Sequence, residues 1–61
     1  MQKILAATKS HTILLNIVGK NFKVEVYRED DGEVVATKSF VKPSVKHLME
    51  EINALKAKYI V

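Results

Sequence analysis

The stretch FKVEVYREDDGEVVATKSF, which runs from Phe22 to Phe40, decides the fold. In its first part Phe22, Val24 and Val26 occupy every second position, with polar residues between them. Such alternation is typical of a strand with one buried face. An acidic segment with a glycine follows, and then a second apolar run that ends at Phe40. Two strand-like runs around a glycine-containing turn predict a β-hairpin.

The acidic segment EDDGE (29–33) raises the question of a metal site. A calcium loop needs about five spaced ligands and a distal bidentate glutamate, whereas Glu33 directly follows Gly32. A three-residue loop of Asp30, Asp31 and Gly32 instead gives a hairpin with Gly32 in the left-handed conformation. Its register makes four pairs: Arg28 with Val34, Val26 with Ala36, Val24 with Lys38, and Phe22 with Phe40. Lys38 then points inward and can reach past the sheet margin. We therefore interpret the segment as a turn and expect neither a metal nor another cofactor.

The run His11–Val18 precedes this hairpin and is rich in β-branched residues and leucine, which predicts another strand. A two-residue turn with Gly19 and Lys20 at its centre keeps the apolar residues of both strands on one face. The pairs are Ile17 with Phe22, Leu15 with Val24, and Ile13 with Val26. A three-residue loop would bury Asn16. Glycine at the first central position suits a type II′ turn.

A helix is expected after the hairpin. Pro43 and Ser44 mark its start, with Ser44 as the N-cap. Apolar residues then recur at helical spacing: Val45, Leu48, Ile52, Leu55 and Tyr59, with Met49 broadening the stripe. We expect an amphipathic helix of about four turns whose stripe packs on the sheet.

The amino-terminal segment KILAAT leaves two alternatives, a strand or a helical turn. As a strand it would form three pairs: Thr8 with His11, Ala6 with Ile13, and Ile4 with Leu15. We favour the strand. The expected fold is a single α+β domain, residues 1–61, in which an antiparallel meander of three or four strands carries one C-terminal helix packed on one face.

Composition limits the function classes. The chain has no cysteine, which excludes disulfides and thiolate metal sites, and its two histidines, His11 and His47, are too far apart in sequence to suggest a zinc site. No segment reaches the roughly 18 apolar residues of a membrane span, and the start lacks the apolar run of a signal peptide. We expect a cytoplasmic protein without membrane contact.

Little in the chain points to catalysis. The two glycines, Gly19 and Gly32, are both explained by turns, which leaves none for a phosphate-binding loop. Ser10 and His11 are adjacent, and neighbouring side chains of a strand point to opposite faces. A nucleophile and base pair would therefore need a local distortion. We expect no enzymatic activity.

The expected functional surface is the sheet face away from the helix. Residues 1–24 hold four lysines and no acid, whereas residues 25–33 hold five acids and one arginine, within a net charge of +3. Alternation assigns nine residues to this face: Thr12, Leu14, Asn16, Lys23, Glu25, Tyr27, Val35, Thr37 and Ser39. We expect a nucleic-acid-binding module that uses the open face and the lysines. The candidate contacts are Lys20, Lys23, Tyr27, Arg28 and Thr37. The alternative is a small protein-binding module, an inhibitor or adaptor, that acts through this face or the sheet edge.

The stretch from residue 21 to residue 52 resembles the arm-binding domain found at the start of tyrosine integrases. The matching motifs are Asp31-Gly32, Lys38-Ser39-Phe40 and the helix start from Ser44 to Leu48. The resemblance implies three antiparallel strands and a helix, with the sheet inserted into the DNA major groove through Lys23, Tyr27 and Thr37. This chain lacks the family's tryptophan and has a single arginine, Arg28. The order of elements is also similar to that of the single-stranded-DNA-binding transcriptional coactivators, which dimerise.

A homodimer is the expected assembly. A chain this short buries only about 60% of the surface that its unfolded form exposes, and no disulfide compensates for the small core. Apolar residues also remain near both chain ends, up to Ile60 and Val61. The contact would use the C-terminal segment or the N-terminal strand edge. The candidate interface residues are Leu14, Leu55, Tyr59 and Ile60.

Overall fold

A computed structural model describes residues 1–60, which form four strands followed by one helix. The elements are β1 (Gln2–Ala7), β2 (His11–Val18), β3 (Asn21–Arg28), β4 (Val34–Val41) and α1 (Val45–Tyr59). The strands form one antiparallel sheet in the order β1-β2-β3-β4, so each strand pairs with its neighbour in sequence. Helix α1 packs on one face. The predicted α+β meander is confirmed, with four strands.

The hairpin of β2 and β3 has the predicted register. Ile13 lies opposite Val26 and Leu15 opposite Val24. Gly19 has a φ of 61°, whereas Lys20 does not adopt a positive φ. A positive φ at the first central position alone is the geometry of a type II′ turn. Hairpins favour this turn because its twist matches the twist of the flanking strands.

The hairpin of β3 and β4 differs from the prediction close to its turn. Val26 does lie opposite Ala36, but Val34 lies opposite Tyr27, so the predicted pair of Arg28 with Val34 is wrong. The backbone N–H of Arg28 donates to the carbonyl of Glu33 (2.8 Å), which makes the loop one residue longer than expected. Val35 is then the extra residue of a β-bulge, and its side chain packs against the core instead of lying on the open face.

The acidic loop, residues 29–33, is held by local contacts. The N–H of Gly32 donates to the carbonyl of Arg28 (2.7 Å), and the N–H of Glu33 donates to the Asp31 carboxylate (3.1 Å). Gly32 has a φ of 72°, which confirms its predicted left-handed conformation. The turn interpretation of this segment therefore agrees with the structure.

Strand β1 forms as favoured, with a second bulge. Thr8 donates its N–H to the carbonyl of His11 (2.8 Å), and Ala6 lies opposite Ile13, as predicted. Ile4, however, lies opposite Leu14 and not Leu15, because Leu5 is an extra residue. The bulge lets Leu5 pack against the core and leaves Ile4 on the open face, 63% exposed. Both edge strands are thus bulged, which disrupts the flat edge that a further strand would need.

The core lies between the sheet and α1. Its buried members are Ile13, Leu15, Val24, Val26, Ile52 and Leu55. The predicted N-cap is confirmed, since Ser44 Oγ accepts the backbone N–H of His47 (3.1 Å). Of the predicted helical stripe, Val45 and Met49 stay exposed. The contact with the sheet thus begins one turn into the helix, at Leu48.

No helix within residues 1–60 has the length and apolar character needed to cross a membrane.

Candidate nucleic-acid interface

The sheet face opposite α1 is not covered by another element formed by residues 1–60. Side chains alternate between the two faces of a strand, so the neighbours of the buried core residues point to this face. The register aligns them in four rows that cross the strands. From the acidic loop to the opposite end of the sheet, the rows are Ala7, Thr12, Tyr27 and Val34; then Ile4, Leu14, Glu25 and Thr37; then Gln2, Asn16, Lys23 and Ser39; then Val18, Asn21 and Val41.

The third of these rows, named here the polar row, crosses the whole sheet. Gln2, Asn16, Lys23 and Ser39 lie on four neighbouring strands, each opposite the next. With strands about 4.8 Å apart, the row spans about 14 Å. Asn16 is half-buried and the other three are exposed. The row offers two amides, an ammonium and a hydroxyl side by side, a combination of donors and acceptors that suits phosphates and base edges.

Three lysines lie beyond the end of the sheet that is closer to the polar row, and are named here the basic rim. Lys20 is in the turn between β2 and β3, and the backbone N–H of Lys42 donates to its carbonyl (2.9 Å). Lys46 is in the first turn of α1, which starts at the same end. The three side chains make no salt bridge with another residue of the range 1–60. Their charges are therefore free to attract an anionic ligand.

The opposite end of the sheet is acidic, and its cation is neutralised. Arg28 donates to Asp31 through Nη2 (2.5 Å) and Nε (3.1 Å), and its Nη2 lies 3.5 Å from Glu33. The hydrogen bond from Arg28 is the main reason that the pKa of Asp31 falls to about 2. Thr12 donates to the Glu29 carboxylate (2.8 Å). Arg28 therefore serves to hold the acidic loop together.

The aromatic candidate is also engaged. The hydroxyl of Tyr27 donates to Glu25 Oε2 (3.2 Å) on the same strand. The pKa of Tyr27 is raised, mainly by partial burial and to a smaller extent by this hydrogen bond. The ring is half-buried and lies in the row nearest the acidic loop, while Thr37 lies opposite Glu25. Phosphate approaching either residue would meet these carboxylates.

The structure thus divides the five predicted contact residues. Lys20 and Lys23 lie in the basic half of the molecule, whereas Tyr27, Arg28 and Thr37 lie in the half that carries the carboxylates. Gln2, Lys42 and Lys46 also belong to this surface but were not predicted from the sequence as contacts. Alternation could have found Gln2 only with the bulge in β1 known, and the position of Lys42 depends on the chain path after β4.

The predicted dimer residues are divided between the core and the uncovered face. Leu55 is 6% exposed and belongs to the core, so it has no surface to offer a second copy. Tyr59 and Ile60 are half-buried and pack against the core, with the Tyr59 ring 5.3 Å from that of His11. Leu14 alone lies on the uncovered face, half-buried beside Ile4. Val61, the other apolar residue of this end, lies outside the described residues.

One contact that the sequence analysis disfavoured does form. Ser10 Oγ lies 3.0 Å from His11 Nδ1, because Ser10 belongs to the turn before β2 and not to the strand. Thr8 Oγ1 accepts the backbone N–H groups of both residues (3.3 and 3.1 Å). The hydroxyls and the imidazole thus close the turn between β1 and β2. Residues 1–60 enclose no pocket beside them that could hold a substrate.

Comparisons with known proteins give no match, whether with protein families, curated proteins or solved structures.

Proposed function

We propose that this protein binds nucleic acid with the basic half of its uncovered sheet face. The observation that carries the proposal is the polar row, a continuous line of hydrogen-bonding side chains across all four strands. Lys23 supplies its positive charge, and the other members supply neutral donors and acceptors. About half or more of the hydrogen bonds between proteins and DNA go to phosphate and sugar, and lysine, serine and amide side chains are among the donors.

The charge distribution favours one end of the face. The basic rim lies beyond the polar row, and the acidic loop lies at the opposite ends of the strands. A phosphate chain is attracted by the first and repelled by the second, so the contact is confined to the half of the sheet that holds Lys20 and Lys23.

The test compares Lys23→Glu with Lys9→Glu in binding to labelled oligonucleotides, followed by fluorescence anisotropy at about 50 mM salt. Both replacements change the net charge equally, but Lys9 lies in the turn beside Ser10, whose carbonyl accepts the N–H of Glu29 (2.9 Å) at the acidic end. We expect Lys23→Glu to weaken binding and Lys9→Glu to leave it nearly unchanged. If the two replacements weaken binding equally, binding depends on net charge and not on the position of Lys23. If the protein binds neither single-stranded DNA, duplex DNA nor RNA, the proposal is wrong.

Self-association is the second candidate function, and one observation favours it. Ile4 and Leu14 lie opposite each other on the uncovered face, with Ile4 63% exposed. A second copy packed on this face about a two-fold axis would cover both residues. The bulges in β1 and β4 favour this face over the edges as the contact.

A further inference from the structure

The fourth row of the uncovered face carries exposed aliphatic side chains. Val18 and Val41 are 66% and 71% exposed, and Asn21 lies between them, opposite both. This row lies between the basic rim and the polar row. Its distance from the polar row is about 7 Å, the length of two strand residues. From the end of the sheet inward, the order is therefore the rim lysines, of which Lys20 and Lys42 lie at the strand ends, then the aliphatic row, then the polar row.

A single strand of nucleic acid has three bands in the same order. Its phosphates lie along one side, the flat faces of its bases come next, and the hydrogen-bonding edges of the bases point away from the backbone. We propose that single-stranded nucleic acid lies along the basic rim, with its bases on Val18 and Val41 and their edges at the polar row. This inference rests on the proposed function and adds to it the class of nucleic acid.

A duplex does not fit the bands equally well. In a duplex the base faces are stacked on one another, so Val18 and Val41 would have no apolar surface to cover. The major groove of B-DNA is about 12 Å wide and admits a two-stranded ribbon, whereas the polar row alone spans about 14 Å between the outer strands. The sheet is therefore too broad to lie flat in that groove, and a duplex would touch only the basic rim.

The polar row provides the groups that base edges need. Asn16 and Gln2 carry amides, each of which offers a donor and an acceptor to a base, and Lys23 offers donors. Because single-stranded bases expose these edges as well as their faces, contact with the aliphatic row and contact with the polar row are made together.

The test measures anisotropy of three labelled probes: a 12-nucleotide DNA strand, the RNA strand of the same sequence, and the 12-base-pair DNA duplex. One variant carries Val18→Thr and Val41→Thr, which remove apolar surface without changing charge. Its control is Val45→Thr, at an exposed valine on the helix that lies away from the face. A second variant carries Lys20→Glu and Lys42→Glu in the basic rim. Circular dichroism checks that each variant is folded.

We expect the single strands to bind more tightly than the duplex. The double threonine variant should bind single strands several-fold more weakly, with an unchanged dependence on salt, while its duplex binding stays the same. The double glutamate variant should weaken every probe, and the slope of log affinity against log salt should decrease by about 0.7 for each phosphate of a single strand that the variant no longer neutralises. This pattern with the DNA strand, the RNA strand or both supports the inference.

Two outcomes overturn it, and they differ. If the duplex binds as tightly as the single strands and the threonine variant affects neither, the inference is wrong while the proposed nucleic-acid binding stands. If no probe binds at about 50 mM salt, both the inference and the proposed function are wrong.

Discussion

Lys38 Nζ lies 2.6 Å from Glu51 Oε2, an ion pair that ties edge strand β4 to the middle of α1. Lys38 lies opposite the buried Val24, on the side of the sheet that faces the core. Its side chain nevertheless remains 43% exposed, because it extends past the sheet margin and meets the helix there. The pair gives an ionic partner to a polar side chain that the register directs inward. A charge on the inner side of an edge strand also discourages pairing with another chain.

We expect Glu51→Gln to lower the melting temperature at neutral pH, because it removes the ionic partner of Lys38. The hydrogen bond from Lys38 lowers the pKa of Glu51, so its contribution to stability is present above the unfolded pKa and is lost as pH falls through the folded pKa. The control is Glu50→Gln, which neutralises an exposed carboxylate that makes no salt bridge among residues 1–60. A decrease of the same size in both variants would contradict a specific role for the pair.

Asp31 should make the acidic loop sensitive to acid. Arg28 and the N–H of Glu33 lower its pKa from 3.8 to about 2. Between these pH values the unfolded chain binds more protons than the folded one, so stability rises with pH in this window and is lost as pH falls through it. Denaturant unfolding of the wild type and of Asp31→Asn at several pH values measures this. The variant should be less stable than the wild type at neutral pH. Between pH 4 and pH 2 its free energy of unfolding should decrease less steeply than that of the wild type, because the variant lacks the carboxyl group whose pKa is lowered.

Replacement of Gly32 by alanine should destabilise the fold by about 1 kcal/mol, because a Cβ is disfavoured in the left-handed conformation. The added atom would meet nothing within 4 Å, so the effect arises from the backbone and not from a clash. Gly32→Asn is the matched variant, since asparagine tolerates this conformation better. Thermal unfolding should rank the wild type first, asparagine second and alanine last. Alanine as stable as glycine would mean that the loop adopts another conformation in solution.

The two isoleucines that differ most in burial provide a test of the core. Ile13 is 0% exposed and Ile4 is 63% exposed. Ile13→Val should destabilise the protein by about 1 kcal/mol, because it removes a buried methylene group from a packed core. Ile4→Val should change the free energy of unfolding much less in the monomer. Urea unfolding at low protein concentration measures both, and equal effects would mean that the face holding Ile4 is covered.

Self-association should depend on Leu14. If a second copy packs on the uncovered face, the melting temperature of the wild type should rise with protein concentration, because association stabilises the folded state. Leu14→Lys should abolish this dependence and give a monomer in sedimentation. Val45→Lys, at a valine 79% exposed on the helix, is the control and should behave as the wild type. A monomeric mass of the wild type at about 100 μM, together with a melting temperature independent of concentration, would exclude the dimer, since linked association must depend on concentration.

Local sequence patterns alone determined most of the fold. The two-residue period of β2 and β3, with a glycine able to adopt a positive φ at the turn, admits a single register that places all apolar residues on one face. Ser44 and the helical stripe set the start and the inner side of α1, because an N-cap and a 3.6-residue period depend on nearby residues only. These features were predictable because each results from contacts between residues that are close in sequence.

Only the tertiary structure decided the two bulges and the composition of the site. The bulges form where Leu5 and Val35 fill space beside the core, and that space is defined by elements distant in sequence. Arg28, which the sequence predicted as a contact residue, pairs with Asp31 and is therefore not available to a ligand. The polar row joins Gln2 to Ser39 across the whole sheet. Such a row depends on the register of three strand pairs at once, and each bulge changes which side chain faces the ligand, since one extra residue reverses the alternation.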